Sequence, residues 1–298
     1  MLKYTIVIPT YNREFLLKRN IEAIEQINYD RTQFELIIVD DGSTDDTSKL
    51  LKHYEINTPL NFRYYVKSNN GKYSAVHFGA IEAKGEYFIV TDSDDFLDSE
   101  ILNNVDKALE SHKHTDGNLI AGVIGLNYNL STKKVQGNKF DTDLFLSDPI
   151  EMRFNRHKSG DEIKITKTNF FREFNFPEAI KNVKFVPESY VYYGLCSKYK
   201  FVYTNKVLQY IDYQEDGITR TIESYRVENS YGCYLAYKRY IDLIEFKKSW
   251  KGYFRSFINY IRFALHSKNK IGLQKLTSFL LFPIGLALYL NDIRKLTK

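Results

Sequence analysis

Residues 83–95 of this chain read AKGEYFIVTDSDD. The centre of this segment, Tyr87 to Val90, is typical of an apolar strand, and Asp92, Asp94 and Asp95 follow that strand directly. Carboxylates placed so close together repel one another unless a cation lies among them. We therefore expect a cation site at the C-terminal end of this strand.

The first hundred residues alternate between short apolar runs and segments of helical periodicity. The predicted strands are Thr5 to Ile8, Phe34 to Val39, Phe62 to Val66 and Tyr87 to Val90, with helical segments between them at 17–27, 45–51 and 74–83. This βαβαβαβ order requires right-handed crossovers and predicts an α/β fold with an open, doubly wound sheet. Ligands of such sheets lie in the crevice outside the carboxyl ends of the strands.

Polar side chains follow three of these four strands. Thr10, Tyr11 and Asn12 follow the first strand, Asp40 and Asp41 follow the second, and the aspartate cluster follows the fourth. Any one of these groups could be an ordinary turn, since Asp and Asn are common turn residues. Three strand ends of the same character indicate a single ligand site at one edge of the sheet.

The composition limits the class of protein. At 298 residues the chain can form one large α/β domain or two small ones. Its 24 tyrosines and 21 phenylalanines suit surfaces that stack on sugars or nucleobases. The two cysteines, Cys196 and Cys233, lack a CxxC spacing, which argues against a disulfide framework and against a zinc site. The first residues lack the pattern of a signal peptide, so we expect a cytoplasmic protein.

The C-terminal region is strongly basic. Residues 238–298 contain thirteen lysines and arginines against three acidic residues, a net charge of +10, whereas the whole chain carries +5. The apolar segment FLLFPIGLALYL at 279–290 is too short, and too interrupted by Pro283 and Gly285, to span a bilayer by itself. A helix packed on the core is one interpretation. We prefer an interfacial helix on the anionic inner membrane surface, and expect no nucleic-acid partner because no RNA- or DNA-binding signature is present.

Three motifs of this chain resemble those of the family 2 glycosyltransferases. They are IVIPTYNRE at 6–14, IIVDDGSTDDT at 37–47 and NNGKYSAVHFGAIEAKGEYFIVTDSDD at 69–95, and together they cover about the first third of the chain. Weaker similarity in FPE at 176–178 and VPESYV at 186–191 extends the match to about Arg220. The resemblance implies a GT-A fold, which is Rossmann-like with a mostly parallel central sheet flanked by helices.

We expect the chain to divide into two parts. Residues 1–220 are predicted to form the GT-A catalytic domain, with a nucleotide-sugar-binding half at 1–98 and an acceptor half at 99–220. Residues 221–298 are predicted to form a basic, apolar helical C-terminal region.

The family's metal-binding motif matches Asp92, Ser93 and Asp94. Side chains two residues apart in an extended segment point the same way, so Asp92 and Asp94 can face one ion. Their hard oxygen ligands select Mn²⁺ or Mg²⁺, which would neutralise a leaving nucleoside diphosphate. Asp92 and Ser93 are also expected to contact the donor. Asp95 could replace one ligand or cap the following helix, and the sequence leaves both roles open.

For the nucleotide, the resemblance assigns the wall around base and ribose to Pro9, Thr10 and Tyr11. Asp41, with Asp40 beside it, is expected to accept a hydrogen bond from the ring N–H of a uracil or guanine. The alternative is that one of these two aspartates caps the N-terminus of the next helix.

Lys72 follows Asn70 and Gly71 in a turn, and we expect it to reach the diphosphate as a point charge. A solvated surface lysine is the alternative. Tyr73 and His77 depart from the pattern KHxALNxG that family members often show here, which leaves the local donor contacts open.

An inverting transfer needs a base that takes the proton of the acceptor hydroxyl, and a carboxylate also faces the positive charge that develops on the sugar. The resemblance favours Glu188 in VPESYV as this catalytic base, with Glu178 and Asp161 as the next candidates. An ordinary surface carboxylate is the alternative. The segment from Tyr213 to Arg220 resembles one that closes over the active site, although an exposed loop explains it equally well.

The sequence thus predicts a metal-dependent, inverting glycosyltransferase that uses a nucleotide-sugar, with a UDP-sugar as the first expectation. Its acceptor would be a hydroxyl of a lipid-linked or cell-envelope glycan, reached from the cytoplasmic face of the membrane by a peripheral protein. A processive synthase is disfavoured because the chain has no QxxRW segment. Two alternatives are a nucleotidyltransferase, which would show a glycine-rich loop after the first strand, and a non-catalytic nucleotide- or glycan-binding module, whose metal motif would be broken.

Overall fold

The computed structural model describes residues 2–115, 119–156, 160–173, 183–212, 221–272 and 276–296. These residues form two compact units. The first comprises the described residues of Met1–Asp148, Lys158–Phe176 and Lys198–Gln214, and the second comprises those of Pro149–His157, Pro177–Ser197 and Glu215–Lys298. The expected domain boundary at residue 220 lies outside the described residues and stays a prediction.

A mixed β-sheet forms the centre of the first unit. Its strands are Tyr4–Thr10 (β1), Phe34–Asp40 (β2), Phe62–Val66 (β3), Tyr87–Val90 (β4), Phe96–Leu97 (β5), Ile120–Asn129 (β6), Lys134–Val135 (β7), Phe145–Ser147 (β8), Glu162–Lys167 (β9) and Lys200–Ile211 (β10). They lie in the order β3-β2-β1-β4-β9-β6-β10-β5, while β7 pairs with β6 and β8 with β10. The first four strands pair in parallel, as do β6 and β10.

Helices connect these strands in the βαβ manner that the sequence predicts. In the first unit they are Glu14–Glu25 (α1), Thr47–Asn57 (α2), Lys72–Glu82 (α3), Ile101–Glu110 (α4) and Thr168–Glu173 (α5). The prediction of an α/β fold with a mostly parallel central sheet is confirmed. One alternative is wrong: Asp46 precedes the first residue of α2, so neither aspartate at the end of β2 caps this helix.

Alternation along β1 divides its side chains between the two faces of the sheet. Ile6 and Ile8 are fully buried in one cluster with Leu17 of α1. Val7 faces the opposite side, where α3 packs on β1. Because helices cover both faces, ligands can reach the parallel strands at their carboxyl ends.

The sheet opens at the carboxyl ends of β1 and β4. Pairing between these strands ends at Val7 and Val90, and Pro9 has no backbone N–H with which to continue the ladder. The strand order also reverses here, since β2 and β4 lie on opposite sides of β1. Doubly wound sheets bind their ligands at such a reversal. Beyond β4, the sheet continues with β9, which pairs antiparallel with both β4 and β6.

The second unit is helical. Its helices are Ser189–Leu195 (α6), Ile222–Glu228 (α7), Ser230–Leu243 (α8), Trp250–His266 (α9) and Leu276–Leu296 (α10), and a short π-helical turn lies at Glu151–Asn155. Aromatic rings join α8 to α9: Tyr234 stacks on Tyr260 with centroids 5.5 Å apart, and Tyr237 stacks on Phe263 at 5.7 Å. The expected helical C-terminal extension is confirmed.

The prediction that Pro283 and Gly285 interrupt the C-terminal apolar segment is wrong, because the segment lies within one continuous helix, α10. It is one helix of 21 residues with Pro283 inside it, and by length and hydropathy it could cross a membrane. One such helix is weak support for a membrane span. Only 17% of its most apolar stretch is buried, however, so most of that stretch is exposed. Gly285 serves close packing, because a Cβ there would lie 2.6 Å from Ile261 Cγ2 of α9. This packing stabilises α10 against the proline, which alone costs a helix about 3 kcal/mol.

Candidate functional site

The loops after β1 and β2 hold each other at the carboxyl edge of the sheet. Asn12 has a left-handed backbone with φ 51°, its N–H donates to Ser43 Oγ at 2.8 Å, and its Oδ1 accepts from the Thr44 N–H at 2.7 Å. The buried Asp40 Oδ1 accepts from the N–H and the hydroxyl of Ser43 at 2.9 and 2.6 Å. Asp40 thus fixes the loop that Asn12 contacts.

Asp41 fixes the turn that precedes α3. Its Oδ1 accepts from Lys67 Nζ at 2.5 Å and from the Asn70 N–H at 3.0 Å, while its Oδ2 accepts from the Gly71 N–H at 2.7 Å. Gly71 has φ 90°, a conformation that glycine adopts without strain. The Asp41 carboxylate therefore orders the start of α3, whose first residue is Lys72. A contact of Asp41 or Asp40 with a base stays a prediction.

Lys72 lies against the first aspartate of the cluster. Its Nζ is 2.6 Å from Asp92 Oδ1 and 2.8 Å from Asp92 Oδ2, and both side chains are 40% exposed. The structure thus gives Lys72 a defined partner, unlike a purely solvated surface lysine. Its contact with a diphosphate stays a prediction.

Asp92, Asp94 and Asp95 converge on one point: a carboxylate oxygen from each lies within 4.8 Å of the other two. Burial raises the pKa of Asp94 above its ordinary value, and the charge of Asp92 adds to this effect. Burial, together with the charges of Asp92 and Asp94, raises the pKa of Asp95 to about 8. The cluster therefore concentrates negative charge that a cation would stabilise.

The structure decides one of the two expected roles of Asp95. The residues after it, Phe96–Leu97, form β5, and the following helix begins at Ile101, so the expectation that Asp95 caps a helix is wrong. Gln209 of β10 donates from Nε2 to Asp95 Oδ2 at 2.5 Å. Because β5 pairs antiparallel with β10, the fold itself brings Gln209 beside the cluster.

Two side chains of this site are missing from the sequence predictions. Asn20 of α1 is fully buried and donates from Nδ2 to the backbone carbonyl of Asp92 at 2.7 Å. The sequence does carry a signal for it, because Asn20 lies on the apolar face of α1 with Leu17 and Ile24, where a polar group needs a partner. Gln209 has no such signal, since it lies 114 residues beyond the carboxylate that it contacts.

The expected nucleotide wall lies at the end of β1. Pro9 and Thr10 are its last residues and are buried, whereas Tyr11 is 46% exposed. The Thr10 hydroxyl is buried and has no hydrogen-bond partner among the described residues. Ser93, between the two expected metal ligands, is also buried. Contacts of these four residues with a nucleotide stay predictions.

The cluster suits Mn²⁺ or Mg²⁺ by its donor set. Its three side chains offer carboxylate oxygens, which these hard cations prefer, whereas softer metals select thiolate or imidazole. Burial is the main cause of the raised pKa of Asp94 and of Asp95, and the mutual repulsion that adds to it would be relieved by a divalent cation among them. Asp92 and Asp94 are the expected ligands, and the geometry adds Asp95 as a third carboxylate within reach.

The expected catalytic base lies in the second unit. Glu188 directly precedes α6, its side chain is exposed, and its carbonyl accepts from the Val191 N–H at 3.0 Å. Asp161 is exposed just before β9 in the first unit. Glu178 and the segment from Tyr213 to Arg220 lie outside the described residues. The assignment of Glu188 therefore stays a prediction.

Two proteins that are similar in sequence to this chain are named as glycosyltransferases. Over 120 residues the chain is 28% identical to the poly(ribitol-phosphate) beta-N-acetylglucosaminyltransferase TarS of Staphylococcus aureus, which covers 40% of this chain and 21% of TarS. Over 283 residues it is 25% identical to the GalNAc(5)-diNAcBac-PP-undecaprenol beta-1,3-glucosyltransferase of Campylobacter jejuni, which covers 90% of this chain and 85% of that protein. The chain thus spans about a fifth of TarS and most of the Campylobacter protein.

Solved structures share the fold of this chain. S. aureus TarS 1–349 in complex with UDP-GlcNAc gives a TM-score of 0.65 at 17% identity, covering 98% of this chain and 81% of that chain. A mannosyltransferase from Pyrobaculum calidifontis in complex with GDP-Man and Mn²⁺ gives 0.59 at 16% identity, covering 99% of this chain and 83% of that chain. The GT-A fold that the resemblance implies is confirmed.

A sequence profile described as "Glycosyl transferase family 2" matches residues 5–170. The match covers more than half of the chain and includes the loops after β1, β2 and β4 together with the turn before α3. These are the segments that the structure brings to one edge of the sheet. The chain therefore belongs to glycosyl transferase family 2 and is a glycosyltransferase.

Proposed function

We propose that this glycosyltransferase is metal-dependent and inverting, and that it takes its sugar from a nucleotide-sugar, with UDP-sugars as the first donors to test. Its proposed acceptor is a hydroxyl of a lipid-linked or cell-envelope glycan at the cytoplasmic face of the membrane. The observation that carries this proposal is the convergence of Asp92, Asp94 and Asp95 at the carboxyl edge of the sheet.

The proposed donor site is the edge where three strand ends meet. Hydrogen bonds of Asp40 and Asp41 fix the loop after β2 and the turn before α3, so the edge is ordered by the protein itself. The N-terminus of α3 begins at this turn, and helix N-termini attract anions such as a diphosphate. The UDP-GlcNAc in the TarS structure and the GDP-Man in the Pyrobaculum structure support a nucleotide-sugar donor.

Asp92 and Asp94 are the proposed ligands of the divalent cation, with Asp95 as a third carboxylate. When bound, Mn²⁺ or Mg²⁺ supplies neutralisation of the charge on the leaving diphosphate. Asn20 holds the backbone at Asp92, and Gln209 holds the side chain of Asp95, so the protein orients these oxygens in advance. The Mn²⁺ in the Pyrobaculum structure supports this part of the proposal.

Glu188 is the proposed catalytic base. It would take the proton of the acceptor hydroxyl while that oxygen forms its bond to the anomeric carbon, on the face opposite the departing diphosphate. Attack from the opposite face inverts the anomeric configuration. The exposed side chain of Glu188 and its place in VPESYV support this role.

The proposed acceptor follows from the relative that aligns over most of the chain. The name of the Campylobacter protein gives a PP-undecaprenol-linked glycan as its substrate, and the match covers 90% of this chain. TarS, by its name, acts on poly(ribitol-phosphate), a polymer. Both support an acceptor that is a lipid-linked or cell-envelope glycan.

Helix α10 is the proposed membrane-docking surface. An apolar stripe runs along its outward face, with side chains between 49% and 73% exposed: Leu276, Phe279, Leu280, Ile284 and Leu290. Leu276, Leu280 and Ile284 recur every four positions, and residues with this spacing lie on one face of a helix. The exposed Arg294 and Lys295 follow the stripe, and anionic lipid attracts such basic residues.

We propose that α10 lies on the membrane and does not cross it, because its inner face is bound to α9. Asp292 accepts from Arg262 Nε and Nη2, each at 2.6 Å, and its Oδ2 lies 2.9 Å from His266 Nε2. A helix that crossed the bilayer alone would carry Asp292 away from these partners, and an unpaired carboxylate in lipid is costly.

A transfer assay tests the function. The purified chain is incubated with UDP-sugars and a lipid-linked glycan, with Mn²⁺, with Mg²⁺ or with EDTA. We expect transfer with either cation and none with EDTA, and NMR should show an inverted anomeric configuration. A retained configuration, or transfer that EDTA leaves unchanged, would contradict the proposal.

The base is tested by Glu188→Gln, which keeps the size of the side chain and removes its basicity. Turnover should fall by about 10²- to 10⁴-fold while donor binding is retained. Glu55→Gln, at an exposed glutamate of α2, is the matched control and should transfer at the wild-type rate. Full activity of Glu188→Gln would remove Glu188 as the base.

A further inference from the structure

Lys72 contacts the same carboxylate that is the proposed first ligand of the cation. Its Nζ lies 2.6 and 2.8 Å from the two oxygens of Asp92, so the ammonium spans the whole carboxylate. A Mg²⁺ ion binds carboxylate oxygens at about 2.1 Å and needs their lone pairs in a defined geometry. Two cations on one carboxylate also repel each other. Lys72 and a divalent cation therefore compete for Asp92.

The ammonium of Lys72 contacts the carboxylate of Asp92, and Lys72 is also the first residue of α3, whose N-terminus suits an anion. Asp41 accepts from the N–H groups of Asn70 and Gly71, so the turn that sets the first residue of α3 is fixed. The helix dipole opposes a cation at this N-terminus and favours an anion there. The ammonium of Lys72 is stabilised by Asp92 on one side, and a diphosphate at the N-terminus of α3 would stabilise it on the other.

We propose that Lys72 couples cation binding to nucleotide binding by exchanging Asp92 for the diphosphate. The inference rests on the proposed function, since it needs a cation at the aspartates and a diphosphate at the same edge of the sheet. A cation that takes Asp92 releases Lys72 to the diphosphate, and a diphosphate that holds Lys72 leaves Asp92 to the cation. Each ligand must then raise the affinity for the other by the same factor.

The test measures binding and not turnover. Mn²⁺ binding to the full chain is followed by the EPR signal of the free ion, first without nucleotide. Lys72→Met should bind Mn²⁺ about two- to fivefold more tightly than the wild type, which is the worth of a partly exposed ion pair. At saturating Mn²⁺ the same variant should bind UDP about tenfold more weakly, because a charge-assisted hydrogen bond is lost. Opposite signs for the two ligands distinguish exchange from a general loss of order.

Two control variants accompany this test. Lys72→Arg keeps the positive charge and should retain most of the coupling between Mn²⁺ and UDP. Lys49→Met also removes one lysine charge that is paired with an aspartate, in this case Asp46 at 2.8 Å beside α2. It should change neither the Mn²⁺ affinity nor the UDP affinity. Circular dichroism checks that each variant is folded.

The outcomes separate this inference from the proposed function. Unchanged or weaker Mn²⁺ binding by a folded Lys72→Met overturns the exchange, even if the chain transfers sugar with Mn²⁺. If the wild type binds no Mn²⁺, or binds it equally after Asp94→Ala, the proposed metal site falls and the exchange falls with it.

Discussion

Each of the two units contains a carboxylate centre, and the centres differ in their charge. One has more negative than positive side chains, and in the other a carboxylate is matched by basic side chains. In the first unit three aspartates converge on one point, Lys72 contacts one of them, Asp92, and burial together with mutual repulsion raises the pKa of Asp94 and of Asp95. In the second unit the single carboxylate of Asp292 meets Arg262 and His266. Burial alone would raise the pKa of Asp292, but the hydrogen bonds from these two residues hold it below its ordinary value.

This difference in charge distinguishes a ligand-binding site from a set of contacts that holds two helices together. A centre with surplus negative charge gains stability from an added cation, whereas a centre with matched charges has nothing to gain from one. The aspartate cluster is therefore suited to bind a ligand, and Asp292 is suited to hold α10 on α9. Substitutions in the two centres should separate these roles.

The largest effect is expected at the aspartate cluster of the first unit, which carries surplus negative charge. Asp94→Ala should lower transfer by roughly 10²- to 10³-fold, the scale of losing one electrostatic contact to developing charge, and should weaken Mn²⁺ binding. The unfolding free energy should not fall, since the change relieves repulsion. Asp46→Ala, at an exposed aspartate beside α2, is the control and should keep wild-type transfer and Mn²⁺ binding. Wild-type transfer by Asp94→Ala would remove the cluster from the reaction.

The second largest effect is expected at Asp292 in the second unit. Asp292→Ala leaves Arg262 and His266 without their shared carboxylate, and breaking a buried pair costs about 3–5 kcal/mol of unfolding free energy. Urea titration of the full chain measures this loss.

An exposed ion pair between α7 and α10 offers a matched control for that variant. Glu223 pairs with Lys295 at 3.1 Å, and their side chains are 70% and 60% exposed, so Glu223→Ala should cost at most about 1 kcal/mol. Mn²⁺ affinity should match the wild type in both variants. Equal losses of stability at Asp292 and Glu223 would contradict the assignment of the buried link.

A smaller effect is expected on the outward face of α10. The double change Leu280→Gln and Ile284→Gln removes apolar surface from the proposed docking stripe, and binding to anionic vesicles should fall about tenfold or more in co-sedimentation. Leu119→Gln, at a leucine of the first unit that is 50% exposed, should bind like the wild type.

Two results would contradict membrane docking by α10. One is equal recovery of the double variant and the wild type with anionic vesicles. The other is a wild-type dimer in light scattering that the double variant loses while vesicle binding is unchanged, which would make a second copy of the chain the occupant. Alkaline carbonate should extract the wild-type protein from vesicles, because α10 is proposed to lie on the membrane.

The smallest effect is expected at Gln209. Gln209→Met keeps the length of the side chain but removes the hydrogen bond to Asp95, and Mn²⁺ affinity should fall by about two- to tenfold, the worth of one such bond. Gln33→Met, at an exposed glutamine before β2, should leave the affinity unchanged. Tighter Mn²⁺ binding by Gln209→Met would mean that the amide competes with the cation and does not orient Asp95.

The first hundred residues of the first unit were largely predictable because their signals are local. Strand periods, helix periods and the polar residues after each strand lie within the first hundred residues, and the parallel order of β1 to β4 follows from them. Asn20 could have been found as a polar residue on the apolar face of α1. Gln209 could not, because its contact with Asp95 depends on the pairing of β10 with β5.

The C-terminal helix shows the limit of local signals. Pro283 and Gly285 indicate an interruption when the segment is considered alone, yet α10 is continuous. The close approach of Gly285 to Ile261 and the bonds of Asp292 to α9 stabilise the helix through contacts between elements. Such tertiary contacts override local propensity, and the sequence pattern does not contain them.

The aspartate cluster is proposed to bind a divalent cation together with a nucleotide-sugar. A thermal-shift screen of UDP-, GDP- and dTDP-sugars, with Mn²⁺ or with EDTA, tests this joint binding. A ligand at a hundred times its Kd stabilises a folded protein by about 2.7 kcal/mol, so at least one UDP-sugar should raise Tm with Mn²⁺, and both EDTA and Asp94→Ala should abolish the shift. No shift with any of these donors, or a shift that persists in EDTA and in Asp94→Ala, would contradict the claim.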